Sequence, residues 1–149
     1  MLLIPEGLAQ QQNTIDNKRP PLKPAVVHEF VRVGHFDLDR VKAMLAEEPA
    51  LLNATWDWGG GDWEAAIGGA GHMGRRDIAQ YLLEQGARMD VFVAAMLGRL
   101  DIVEPTLKAF PSLLNSKGPH GIPLMAHARA GGAEAAKVVA LLESLGVKS

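Results

Sequence analysis

Histidine, carboxylate and tryptophan are the side chains of this sequence with chemical reach, because cysteine is absent, and with it every disulfide, thiolate ligand and thiol nucleophile. The five histidines are His28, His35, His72, His120 and His127. No two stand three or four residues apart, and neither His-Glu-x-x-His nor His-x-His occurs, so local spacing carries no metal signature and no metal or other cofactor is expected. Asp37 with Asp39, and Glu47 with Glu48, fall on or beside helical segments, where solvated charge is the ordinary role. Ser112, Ser116, Ser144 and Ser149 lack the Gly-x-Ser-x-Gly setting of an activated serine. One set of suitable types remains. Asp62, His72 and His120 would make a small-molecule site or a weak metal-independent hydrolase if the fold laid their loops side by side.

The other distinctive stretch is WDWGGGDWE, Trp56 to Glu64, which holds all three tryptophans around Gly59-Gly60-Gly61. Three glycines permit positive φ and a sharp reversal, leaving Trp56 and Trp58 on one limb and Trp63 on the other. Trp56 and Trp58 are two residues apart, so they point the same way on an extended limb. Exposed, they would form a contact patch; folded down, they would close the core. Trp63 stands next to a helix and leans towards the second alternative. No strand precedes the glycines and no Lys-Ser/Thr follows them, so a phosphate loop is not supported.

Such residues need elements to position them. At 149 residues the chain has the length of one domain. Fifteen basic against seventeen acidic residues give a net charge of −2, and the longest basic runs are the pairs Lys18-Arg19 and Arg75-Arg76, so neither nucleic acid nor an anionic membrane is an expected partner. MLLIPEGLAQQQ is broken by Pro5 and Glu6 before it reaches signal length, and no apolar run is long enough to span a bilayer; a cytoplasmic location is the resulting expectation. Residues 1–24 are polar and proline-broken and read as an extended arm, with Leu2, Leu3, Ile4 and Leu8 able to drape over the first helices.

From Val26 onward the chain repeats. LAEEPALLN, Leu45 to Asn53, returns as LKAFPSLLN, Leu107 to Asn115, and GRRDIAQYLLEQGA, Gly74 to Ala87, lies between them with the same Gly, Asp-Ile and Leu features. GGAEAAKVVALLESLG, Gly131 to Gly146, is a looser fourth copy. Each unit reads as a small-residue helix, such as Ala65 to Gly71 or Val91 to Met96, then a glycine turn and a helix with a leucine-rich face. Val41, Met44, Leu45, Ile78, Leu82, Leu83, Val138, Leu141, Leu142 and Leu145 are the expected core of those second helices. A helix pair of about thirty residues cannot bury its apolar face alone, but stacked pairs share one core.

These units resemble the ankyrin repeat. The second carries Gly74, Ile78, Leu82-Leu83, Gly86-Ala87 and Asp90; Gly34-His35 matches the turn pair of the first, and Gly121-Ile122-Pro123-Leu124 looks like a shortened start of the fourth. The likeness covers about residues 26–147 and departs in having no intact Thr-Pro-Leu-His. It implies an all-α solenoid of about four helix-turn-helix repeats over 25–149, with β-hairpin fingers short or absent. It also implies that His35 bonds to backbone at its turn. Pro105 falls inside the third unit's second helix, so that helix is expected to start late, near Ile102, with Asp101 and Glu104 as a capping box.

Ankyrin-like stacks grip partners through their fingertips and first helices. The resemblance therefore implies a non-catalytic protein-interaction scaffold whose unidentified protein partner meets Trp56, Asp57, Trp58, Asp62, Trp63, Glu64, His72, Arg99, Lys117 and His120. KVVALLESLGVKS carries little charge for an end cap and implies a weak homodimer through the terminal helices.

Overall fold

The computed structural model describes residues 19–148. Of the expected arm, the apolar residues Leu2, Leu3, Ile4 and Leu8 lie outside the described residues. Helix α1, Pro24–Val33, begins on a proline, whose missing N–H costs nothing at a helix start. It buries Val27, Phe30, Val31 and Val33 and ends at the turn carrying Gly34 and His35. Helix α2, Leu38–Glu47, is capped by Asp37, whose carboxylate accepts from the Arg40 backbone N–H at 2.9 Å, and it buries Val41, Met44 and Leu45.

The repeated Pro-x-Leu-Leu-Asn becomes the same structure twice, a 3-10 turn at Pro49–Asn53 and another at Pro111–Asn115. After the first comes a hairpin. Strands β1, Thr55–Asp57, and β2, Trp63–Ala65, pair antiparallel with Trp56 opposite Glu64. Gly59, Gly60 and Gly61 all have positive φ, and the Asp57 carboxylate accepts from the N–H groups of Gly59 and Gly61, so the reversal is built from glycine freedom plus one aspartate.

Two further helix pairs follow: α3, Ala66–His72, with α4, Arg76–Glu84; and α5, Val91–Met96, with α6, Leu100–Ala109. The last pair is α7, Leu124–Ala130, and α8, Ala136–Ser144. The first helices pack in sequence order, α1 on α3, α3 on α5 and α5 on α7, and α2 meets α4 as α6 meets α8. Small residues permit this. Every residue of α3 from Ala66 to Gly71 is buried, and a Cβ added at Gly34 would lie 2.7 Å from that of Ala66. Arg76 fastens later units to the second by donating to the carbonyls of Leu97 and Met96.

Leu83 and Leu141 are only half-buried and Leu145 is exposed, so the leucine stripe is narrower than its sequence pattern, with Ile78, Ala79 and Leu82 carrying it in α4 and Val138 and Leu142 in α8. Helix α6 also differs from expectation. It starts at Leu100, and the Asp101 carboxylate, inside the first turn, pairs with Arg99 at 2.9 and 2.7 Å instead of capping. Pro105 is tolerated because it sits on the exposed face, and the carbonyl it fails to satisfy belongs to solvent-exposed Asp101. Among the described residues no helix is long and apolar enough to cross a membrane.

Candidate functional site

Strand alternation in β2 puts the tryptophan out and the acid in. Trp63 is 61% exposed, whereas Glu64 is 1% exposed. A carboxylate so far from water must be paired or hydrogen-bonded on all sides. It is. The Trp58 indole N–H donates to Glu64 Oε2 at 2.7 Å, and three imidazoles bring their Nε2 atoms to the same carboxylate: His35 at 3.2 Å and His120 at 3.3 Å on Oε2, His72 at 3.0 Å on Oε1.

Each ring arrives from a different element. His35 stands in the α1–α2 turn, where its Nδ1–H donates to the carbonyls of Val31 at 3.0 Å and Arg32 at 3.2 Å, the backbone bonding that the ankyrin likeness implies. His72 is the last residue of α3. His120 lies in the Pro119–Gly121 turn with φ 58, the one non-glycine residue of positive φ among the described residues, and Asp62 holds it there with both oxygens. One accepts the His120 backbone N–H at 2.8 Å and the other the ring Nδ1–H at 2.7 Å. A strained backbone kept in place by a carboxylate is a common mark of a functional position. With Nδ1 committed as a donor on both His35 and His120, each ring turns its Nε2 inwards.

The electrostatics follow from these contacts. Burial alone would push the Glu64 carboxyl up, but hydrogen bonds from His35 and His72, the His35 charge and the Trp58 N–H outweigh it and hold the group at about 2. Burial likewise disfavours a charged His35, yet the Glu64 carboxylate and the two backbone carbonyls raise it above its ordinary value. The His120 backbone N–H, with the ring behind it, keeps Asp62 below the usual carboxylate range. His127, fully buried, is pushed down chiefly by burial; its Nδ1–H donates to the Pro123 carbonyl and its Nε2 has no partner.

Room for the cluster comes from glycine. A Cβ at Gly69 would sit 2.6 Å from the His35 ring, and one at Gly68 would press on the Glu64 side chain at 3.3 Å. The run AAIGGAG is thus small both to let helices approach and to admit an imidazole. On the solvent side an apolar recess of about 320 Å³ opens over the cluster, lined by Arg32, His35, Phe36, Trp58, Met73 and His120. The chain matches no known family, no curated protein and no solved structure.

Of the sequence-derived contact residues, Trp58, Asp62, Glu64, His72 and His120 are brought together. Glu64 differs from its expected place on a contact surface, because β2 turns it into the interior. Trp56 and Trp58 are half-buried and do point the same way, both packing on the His28 ring, at 4.8 and 5.4 Å between centroids. Trp63 reverses its expectation and is the exposed tryptophan. Trp63 and Lys117 line a separate groove, Asp57 shapes the glycine turn, and Arg99 pairs with Asp101 away from the cluster. His35 was missing from the expected contact set. Its signal was present, since Gly34-His35 and Gly71-His72 end the first helices of consecutive units, and stacking those helices sets the rings 4.9 Å apart.

Proposed function

We propose that the chain is a small-molecule-binding protein built on an ankyrin-like stack, with the His35–Glu64–His72–His120 cluster as the floor of its site. The observation that carries this reading is a buried, ionised carboxylate ringed by three imidazoles beneath an apolar recess. At about 320 Å³ the recess lies at the lower end of ligand-site volumes, which begin at about 300 Å³, and it combines apolar walls with few polar groups, as such sites do. Phe36 and Met73, both exposed, form its outer wall, and Arg32 lies over the Phe36 ring at 5.3 Å. The chemistry favours a small ligand with an apolar body packed on the His35, His120 and Trp58 rings and an anionic or carbonyl head reaching the Arg32 guanidinium. Metal-independent hydrolysis by Asp62, His72 and His120 is less well supported. The free nitrogen of His120 and that of His72 face an internal carboxylate instead of the recess, so neither is placed as a general base for a substrate there.

Thermal shift against small aromatic acids and carbonyl compounds tests the reading, with Met73→Trp as the variant that fills the recess. A compound at 100 times its dissociation constant stabilises the wild type by about 2.7 kcal/mol and leaves Met73→Trp unmoved. The reading falls if no compound shifts the wild type, or if every shift survives in Met73→Trp.

A protein-partner reading has its own support. Exposed Trp63 borders a groove of about 490 Å³ lined also by Asp62, Arg88, Phe92 and Lys117, a suitable place for a projecting side chain. Trp63→Ala is expected to change unfolding free energy by no more than about 0.5 kcal/mol while abolishing capture of a partner. Capture undiminished by that substitution would remove the groove from consideration.

A further inference from the structure

We propose that the cluster is a divalent transition-metal site, with His35, His72 and His120 as imidazole ligands through Nε2 and Glu64 as the carboxylate ligand. This deepens the small-molecule reading, on which the site's use rests, by naming the cofactor.

The donor set comes first. Three imidazoles and one carboxylate, with no thiolate in the chain, suit zinc, cobalt, nickel or iron(II) better than magnesium or calcium, which take mainly oxygen ligands. The four ligand atoms all lie within 4.8 Å of one another. A tetrahedral ion with ligands at about 2.0–2.1 Å spaces them about 3.3 Å apart. Glu64 Oε2 stands at that spacing from two rings, His35 at 3.2 Å and His120 at 3.3 Å, while His72 meets the other oxygen, Oε1, at 3.0 Å, so the His72 ring moves closer when an ion is held on Oε2.

The groups that would orient two of the three rings are already in place. A ligating histidine ordinarily gives its other ring N–H to a backbone carbonyl or a carboxylate, which fixes the tautomer and leaves the opposite nitrogen for the metal. His35 does the first, with Val31 and Arg32, and His120 the second, with Asp62. Trp58 N–H, on Glu64 Oε2, orients the carboxylate in the same manner. In the metal-free protein these rings meet the carboxylate through Nε2–H; an ion that displaces the Nε2 protons takes the freed lone pairs and the carboxylate together. A charge of +2 also balances Glu64 and Asp62.

Access agrees as well. His35 and His120 line the recess with their rings and the ion would lie behind them, so the recess is the side from which an ion enters, while Glu64 is sealed beneath. Asp62 touches no ion in this arrangement and is a positioning residue for His120.

The test uses the full chain after treatment with a chelator, titrated with Zn²⁺ by calorimetry and with Co²⁺ by visible absorption. One equivalent is expected to bind, with Co²⁺ giving the d–d bands of a low-symmetry nitrogen and oxygen site. His120→Ala and Glu64→Gln should each weaken Zn²⁺ by at least about 100-fold, and Asp62→Asn by about 10–100-fold, because it weakens the carboxylate that holds the other nitrogen of the His120 ring. His28→Ala, which removes a ring packed at a tilt against Trp56 and edge-on against Trp58 outside the donor set, should bind like the wild type. His120 sits in a partly exposed turn, and a far-ultraviolet circular dichroism spectrum of His120→Ala matching the wild type makes its loss of binding interpretable. No Zn²⁺ binding by the wild type, or equal binding by His120→Ala and Asp62→Asn, overturns the proposal. If metal binding fails while compounds still stabilise the wild type and spare Met73→Trp, the recess reading stands without its cofactor. Metal binding with no compound shift removes the recess reading alone.

Discussion

Glu64→Ala is expected to cost about 3–5 kcal/mol of unfolding free energy in the metal-free protein, the loss typical when one partner of a buried ion pair is removed. The size follows from what is left behind. Three imidazole nitrogens and the Trp58 N–H, all now satisfied by two oxygens, would face one another around a void with little water to replace the carboxylate. Glu64→Gln separates charge from shape. Its amide keeps the volume and one acceptor oxygen but turns an NH₂ towards a ring, so a smaller loss of about 1–3 kcal/mol is expected. Urea midpoints for the two variants check this ordering, provided the slope is unchanged. A loss below about 1 kcal/mol for Glu64→Ala would mean that the rings relax independently and that the cluster does not hold the first, second and fourth helix pairs together.

That coupling explains why the site was only partly legible from sequence. The helix pairs were readable because each element's own pattern is local: the small-residue runs, the glycine turns, and the Pro-x-Leu-Leu-Asn segments that both fold as 3-10 turns. The cluster is the opposite case. His35, Glu64, His72 and His120 come from a turn, a strand, a helix end and a loop, and their only common property is their position in a stack. No spacing rule for metals or catalytic sets acts across such distances. The hairpin misled for a second reason. An apolar-in, polar-out rule places Trp63 inside and Glu64 outside, but β2 reverses it because the three imidazoles and the Trp58 N–H provide a better environment for a carboxylate than the finger's edge provides for an indole. Sequence comparison of the units against one another held the missing clue, in the Gly-His pairs at 34–35 and 71–72 that close the first helices.

The pH dependence of stability in the chelator-treated protein should carry the signature of the same carboxylate. Glu64 titrates at about 2 in the folded chain against an ordinary 4.5. A depressed folded value means that its contribution is fully present above 4.5 and is lost as pH falls towards 2, with an amplitude on the order of 3 kcal/mol. His35 has the opposite sign. Its folded value is raised above 6.5, so its contribution is complete below 6.5 and is lost as pH rises through the folded value. Both are present together between 4.5 and 6.5, which is where the wild type should be most favoured over Glu64→Gln. Asp62 and His127 also titrate with shifted values on the acid side, but the Glu64 charge is the smallest of the causes acting on either, so they largely cancel in the difference between the two curves. Glu64→Gln should therefore flatten both limbs. Burial is the largest influence on His35 and opposes its charge, so once Glu64 no longer supplies a counter-charge the raised value has no remaining cause of sufficient size. An alkaline limb that persists unchanged in Glu64→Gln would show that His35 draws its charge stabilisation from the Val31 and Arg32 carbonyls, and that the ring and the carboxylate are neighbours without being partners.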